Sequence, residues 1–123
     1  MTTVEFLREV KSILKPGGAA AANLWSSDRK RFLAMLKTYE SVFKKAYRFP
    51  AALGNNTIIV ATDTEIAHYE ITARAVEIQN RFKFPYDFVK CASRYDTNLI
   101  DSSGAKLITD AEAPADWRES RKL

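Results

Sequence analysis

Residues 2–25 have the sequence TTVEFLREVKSILKPGGAAAANLW, and this stretch decides the fold. Thr2 and Glu5 have the three-residue spacing of a helix-capping box, and an apolar face follows at helical spacing: Phe6, Leu7, Val10, Ile13 and Leu14. Pro16 cannot continue a helix, and the two glycines after it allow a tight turn. The pattern therefore predicts a helix that ends before Pro16.

Residues 19–24, which follow the turn, show no alternation of polar and apolar side chains. Such a run is typical of a strand covered on both faces in a parallel sheet. Alanine has poor strand propensity, so a helix is the competing interpretation, but the flanking glycines and serines favour a strand. A helix that feeds such a strand is the second half of a crossover unit. We therefore expect the back part of a nucleotide-binding α/β fold, with its front part absent.

The rest of the chain continues this alternation of helices and strands. Residues 26–28 are N-cap types and open a second predicted helix, which ends near residues 44–45. Two strands follow over residues 45–49 and 57–61, and their short connection makes them antiparallel neighbours. Asp63 is predicted to cap a third helix that ends near residue 82, and a short helix follows within 86–95. The sequence thus predicts an α/β fold with a small mixed sheet whose last two strands are antiparallel.

Composition excludes several classes of protein. The chain has 123 residues, of which 46% are hydrophobic and 28% are charged, as in an ordinary soluble domain. No apolar run approaches the ~20 residues that span a bilayer, and the N-terminus does not read as a secretory signal. A single cysteine suits a reducing compartment, so we expect a cytoplasmic protein. The net charge of +4 comes from scattered lysines and arginines, which we interpret as solvated faces and not as a nucleic-acid surface.

Three stretches resemble spermidine synthases (polyamine aminopropyltransferases) and related class I S-adenosylmethionine-dependent methyltransferase-like proteins. They are residues 3–18, residues 23–28 (NLWSSD) and residues 107–114 (LITDAEAP). The resemblance implies a partial Rossmann-like three-layer fragment. It assigns residues 1–95 to the C-terminal half of a methyltransferase-like domain and residues 96–123 to an extended segment with a charged tail. In the full-length family the activity is aminopropyl transfer from decarboxylated S-adenosylmethionine in polyamine biosynthesis.

Parts of the family's machinery do not appear in this chain. Family members hold decarboxylated S-adenosylmethionine or S-adenosylmethionine on a Gly-rich loop, and the four glycines here form no such pattern: Gly17, Gly18, Gly54 and Gly104. The aspartate that the family uses to deprotonate the attacking amine would precede Met1. We therefore expect no catalytic residue, no cofactor and no metal in this chain, and no transferase activity when it is alone.

Candidate binding residues lie where the first strand ends, because open α/β sheets bind ligands at the carboxyl ends of their strands. Asn23 and Trp25 are predicted to form one wall of a substrate crevice; the alternative is that Trp25 is buried against the third helix. The resemblance places Asp110 at the same crevice, and a solvated acidic loop is its alternative. His68 has no partners at metal-ligand spacing and is expected to be an exposed helix residue. Cys91 is expected to be a packed thiol.

The alternative function is that of a non-catalytic α/β module that works through association. A half sheet leaves the strand over residues 19–24 with a free edge, which is a ready site for pairing with another strand. We expect a homodimer, or a complex with a chain that carries the missing N-terminal half. Membrane contact is not expected, and nucleic-acid binding is the third hypothesis.

Overall fold

A computed structural model describes residues 2–113 and 115. They form a mixed α/β structure of four helices and three strands. In chain order these are α1 (Val4–Ile13), β1 (Ala19–Trp25), α2 (Arg29–Val42), β2 (Lys45–Pro50), β3 (Asn56–Thr62), α3 (His68–Arg81) and α4 (Phe88–Ala92). The α/β class and the three predicted strands are confirmed. Pro114 and the charged tail predicted after residue 115 lie outside the described residues.

The sheet has the strand order β1-β3-β2, with β3 in the centre. The predicted antiparallel pairing of the last two strands is confirmed, with Lys45 opposite Thr62. The prediction of a mixed sheet is wrong, because β1 also pairs with β3 in antiparallel orientation and Ala19 too lies opposite Thr62. The strands β1 and β2 run in the same direction, but β3 lies between them. No two parallel strands are therefore adjacent in the described sheet.

Helices α1 and α2 cover one face of this sheet. The buried core cluster is Leu7, Leu24, Phe32, Met35, Leu36, Tyr39, Phe43, Ile59 and Ala61. Ile59 and Ala61 alternate with outward-pointing neighbours on β3 and are fully buried, which is the pattern of a sheet with one face against a helical layer. Gly17 makes the turn before β1 with a φ of +76°, a conformation that glycine adopts without strain.

Helix α1 is capped by Thr3, whose Oγ1 accepts a hydrogen bond from the Phe6 amide at 3.3 Å. The predicted capping box of Thr2 and Glu5 is therefore wrong. The Glu5 carboxylate instead accepts from the Asp110 amide at 3.0 Å. Because Thr3 is the cap, the residue three positions later is Phe6 and not Glu5, so Glu5 is out of place for a capping box.

Residues 96–113 contain no helix or strand, yet they are fastened to the helices. The Val4 amide donates to the Ile108 carbonyl at 2.9 Å, and the Ile108 amide donates to Thr38 Oγ1 at 3.0 Å. Thr38 is fully buried, so the acceptor of this second bond lies in the interior. The irregular segment is thereby part of the folded unit.

Helix α3 begins at His68 and not at Asp63, which corrects the predicted cap. The Asp63 carboxylate accepts from the Lys44 amide at 3.0 Å and forms an ion pair with Lys11 at 2.9 Å. These contacts join α1 to the start of β2. The prediction for α2 is confirmed, because Asp28 caps it by accepting from the Arg31 amide at 3.0 Å.

The second face of the sheet is only partly covered. Side chains of β2 and β3 line a cleft beneath α3 and α4, whereas the side chains of β1 on this face are exposed: Ala19, Ala21, Asn23 and Trp25. The prediction that the strand at 19–24 is covered on both faces is therefore wrong. Alanine and asparagine tolerate either environment, so the composition of β1 does not reveal that one face is open.

Candidate functional site

The free edge of β1 is the feature of this fold most suited to binding another chain. The Ser26 amide donates to the Asn55 carbonyl at 2.6 Å, so residues 26 and 55 form a hydrogen-bonded pair of the antiparallel ladder. Hydrogen-bonded pairs recur every second residue. Ala20, Ala22 and Leu24 therefore direct their amides and carbonyls toward β3, and the alternate residues direct theirs toward the free edge: Ala19, Ala21, Asn23 and Trp25.

The hydrogen bonds between β3 and β2 are consistent with this register of β1 and β3. The Ala51 amide donates to the Asn56 carbonyl at 2.9 Å, which makes residues 51 and 56 a hydrogen-bonded pair on the β2 side. Even-numbered β3 residues therefore bond to β2, and odd-numbered ones bond to β1. The two assignments are independent and consistent.

The β1 edge also lacks the usual protection of an edge strand. Natural edge strands carry lysine, proline, inward charges or bulges that discourage pairing. Residues 19–25 contain no charged residue and no proline, and their ladder with β3 runs without a bulge. Trp25 exposes 57% of its surface. Exposed main-chain groups and exposed apolar side chains thus lie on the same seven residues.

The β2 edge is occupied at its middle, at Arg48, by the chain itself. The Asp96 amide donates to the Arg48 carbonyl at 2.8 Å, and the Asp96 carboxylate lies 3.7 Å from the Arg48 guanidinium. Arg48 is buried, and its Nη2 also donates to the Asn98 carbonyl. The described part of the sheet therefore has one edge that is blocked at its middle and one open edge.

The structure separates the three residues predicted to bind substrate. Asn23 and Trp25 share the open face of β1, and the alternative in which Trp25 is buried against α3 is wrong because α3 lies over β2 and β3. Asp110 lies beside the first turn of α1, on the side of the sheet that α1 and α2 cover. Substrate binding by these residues stays a prediction.

His68 is exposed, as predicted, and its ring stacks on that of Tyr95 with centroids 5.1 Å apart. Cys91 is also exposed, so the prediction of a packed thiol is wrong. Helix α4 has only five residues and buries none of them. Cys91 lies at the cleft beneath α3 and α4, which the sequence did not predict. Three aromatic residues also line this cleft, Tyr47, Phe49 and Phe88, and they are the signal in the sequence that could have pointed to it.

The perturbed ionisable groups lie away from the β1 edge. The hydrogen bond from Lys11, with a second from the Lys44 amide, lowers the pKa of the Asp63 carboxyl. Burial raises the pKa of the Tyr39 hydroxyl, against a smaller lowering by its hydrogen bond with Thr2. Across residues 2–113 and 115, no three His, Cys, Asp or Glu side chains are grouped to hold a metal ion. The edge therefore offers main-chain hydrogen bonds and apolar contact.

The comparisons with known proteins add no family to this description. No family model matches the chain, and neither a curated protein nor a solved structure matches it. None of the helices in the described ranges is long and apolar enough to cross a membrane.

Proposed function

We propose that this chain is a non-catalytic α/β module that functions by pairing its β1 edge with a strand of another chain. The observation that carries this proposal is the unprotected edge, where Ala19, Ala21, Asn23 and Trp25 direct their amides and carbonyls away from β3. An uncharged, regular edge strand of seven residues is a template for strand addition.

A second copy of the chain is the partner that the residues of β1 favour. Two β1 edges that pair in antiparallel orientation about a two-fold axis at Ala22 set Ala21 opposite the partner's Asn23. The same register sets Ala19 opposite the partner's Trp25. All four edge-directed residues then find main-chain partners, and the large indole covers a small side chain across the strands. The result is a sheet that continues through both copies.

The resemblance to spermidine synthases gives the proposal its second part. We propose that the module is spermidine synthase-like and derives from the C-terminal half of such a transferase, without aminopropyl or methyl transfer of its own. The helix, Pro-Gly-Gly turn, strand, helix and two antiparallel strands support this origin. A chain that carries the N-terminal half would pair with the same edge in parallel orientation. Transfer from decarboxylated S-adenosylmethionine by the purified chain would contradict this part.

The experiment for association is light scattering after gel filtration over a range of protein concentrations. We expect a dimer for the natural sequence and a monomer for Ala21→Lys, which places a charge on the edge strand. Ala73→Lys is the matched control, because Ala73 is an exposed alanine on α3, far from β1 in the sequence and on another element. A monomer at all concentrations for the natural sequence, or a dimer for Ala21→Lys, would overturn the proposal.

A further inference from the structure

A second concavity lies between the first turns of α2 and the C-terminal segment. Its volume is about 690 Å³, within the range of about 300–1,000 Å³ that is typical of small-molecule sites. One wall belongs to α2, and residues 101–106 form the other. No residue of β1 lines it, so a ligand bound here leaves the β1 edge free.

Hydrogen bonds fasten the two walls of this concavity together. Lys37 Nζ donates to the Ser103 carbonyl at 2.6 Å and to the Ala105 carbonyl at 2.7 Å. The Ser102 hydroxyl donates to the Glu40 carboxylate at 2.6 Å. Because Lys37 and Glu40 both belong to α2, the C-terminal segment is held against this helix at three points. The concavity is therefore formed before any ligand binds.

Cationic side chains line the concavity from both walls. Arg29 and Lys30 come from α2, and Lys106 comes from the C-terminal segment. None of these three forms an ion pair with another residue of the described part of the chain. The Asp101 carboxylate also lines the concavity, and it accepts from the Ser103 amide of its own loop at 2.9 Å. Three positive side chains and one negative side chain give the lining a net charge of +2.

We propose that this concavity binds a small phosphate monoester, with the phosphate between α2 and Lys106 and the organic group against Leu33 and Ala34. A phosphate monoester carries close to two negative charges at neutral pH, which matches the charge of the lining. Arginine can donate two parallel hydrogen bonds to a phosphate, and lysine binds it as a point charge. Leu33 and Ala34 are half-buried and provide apolar contact for the organic group.

Amide NMR spectra of the full chain test this site, because Gly104 and Ala105 line it and report on its occupancy. The probes are phenyl phosphate, phenyl sulfate as the analogue with a single charge, and inorganic phosphate as the analogue without the ring. We expect phenyl phosphate to shift these two amide signals in a saturable manner. Phenyl sulfate and inorganic phosphate are expected to bind more weakly, since the first lacks a charge and the second lacks the apolar contact.

Variants of Lys106 test whether its charge acts at this site. Lys106→Gln is expected to weaken the binding of phenyl phosphate about fivefold, in line with the loss of one solvent-exposed ion pair. Lys106→Arg keeps the charge and is expected to bind as the natural sequence does. Lys83→Gln is the matched control, because it removes the same charge from an exposed residue between α3 and α4. Its affinity should equal that of the natural sequence.

Three outcomes would overturn the proposal. They are the absence of shifts at the Gly104 and Ala105 amides, equal affinities for phenyl phosphate and phenyl sulfate, and equal affinities of the Lys106→Gln and Lys83→Gln variants. The amide spectrum of each variant also shows whether it is folded. A titration of Ala21→Lys separates this site from the β1 edge, because binding in the concavity does not require association. Binding of phenyl phosphate by a monomer would support the site even if the dimer proposal failed.

Discussion

The Asp96 amide donates to the Arg48 carbonyl at 2.8 Å, while the Asp96 carboxylate lies 3.7 Å from the Arg48 guanidinium. One residue of the C-terminal segment thus occupies the middle of the β2 edge through its main chain and compensates a buried charge through its side chain. Arg48 is only 8% exposed, so its charge is poorly hydrated. The irregular segment after residue 95 therefore acts on the stability of the sheet.

Replacing Asp96 with alanine is expected to destabilise the fold by about 2 kcal/mol, because it leaves a buried guanidinium without its counter-charge. Urea unfolding followed by circular dichroism measures the change. Glu65→Ala is the control, since Glu65 pairs with Lys45 at an exposed site and its loss should be within about 0.5 kcal/mol. Equal stability of the two variants would contradict a structural role for the Arg48–Asp96 contact.

Proline substitutions on β1 test which amides face the free edge. Ala21→Pro removes an edge-directed amide, so the protein is expected to fold and to remain monomeric. Ala22→Pro removes an amide that bonds to β3 and should destabilise the sheet by about 3 kcal/mol. Thermal unfolding and light scattering on both variants give the comparison. If Ala21→Pro is the less stable of the two, the assigned register is wrong.

Trp25 reports on association through its exposed indole. In a Trp117→Phe background it is the remaining tryptophan. Dilution-dependent fluorescence is expected to show a blue-shifted emission at high protein concentration, because pairing of two β1 edges removes the indole from water. Adding Ala21→Pro should abolish the shift. An emission maximum that does not depend on concentration, in a sample that light scattering shows to be dimeric, would place the interface elsewhere.

The Asp63 carboxyl gives the fold a defined response to acid. Its pKa in the folded state is lowered, first by the hydrogen bond from Lys11. The resulting stabilisation is present above the ordinary Asp pKa of about 3.9 and is lost as the pH falls through the lowered value. Thermal unfolding of Asp63→Asn should therefore show a smaller fall in melting temperature over that acid window than the natural sequence. Lys11→Gln should likewise show a smaller fall in melting temperature over that window than the natural sequence. If both variants respond to acid as the natural sequence does, the Lys11–Asp63 contact does not stabilise the fold.

Thr3, and not its neighbour Thr2, is the N-cap of α1. Thr3→Ala is expected to destabilise the protein by about 1 kcal/mol, since the Phe6 amide loses its acceptor. Thr3→Ser keeps the hydroxyl and should restore most of the loss in urea unfolding. An equal loss in both variants would assign the effect to the packing of the Thr3 methyl group.

Local signals in the sequence were sufficient for the elements but not for their arrangement. Pro16 ends α1 and Asp28 caps α2, because both act on their own backbone neighbours. Asp63 was assigned to the wrong role because its partner Lys11 is 52 residues away in the chain. The burial of β1 depends likewise on where α3 lies, and an alanine-rich strand carries no signal for that. The cleft was missed for the same reason, since its walls come from segments distant in sequence.

Asp96, which occupies the middle of the β2 edge, limits how far assembly can proceed. A molecule with free edge strands on both sides of its sheet would add copies at both edges, and the assembly would continue without limit, as in fibrils. Here Asp96 blocks the middle of β2, and β1 is left as the unobstructed edge strand of the described sheet. When two molecules pair through β1, the open edge of each is covered by the other, and the assembly stops at a dimer.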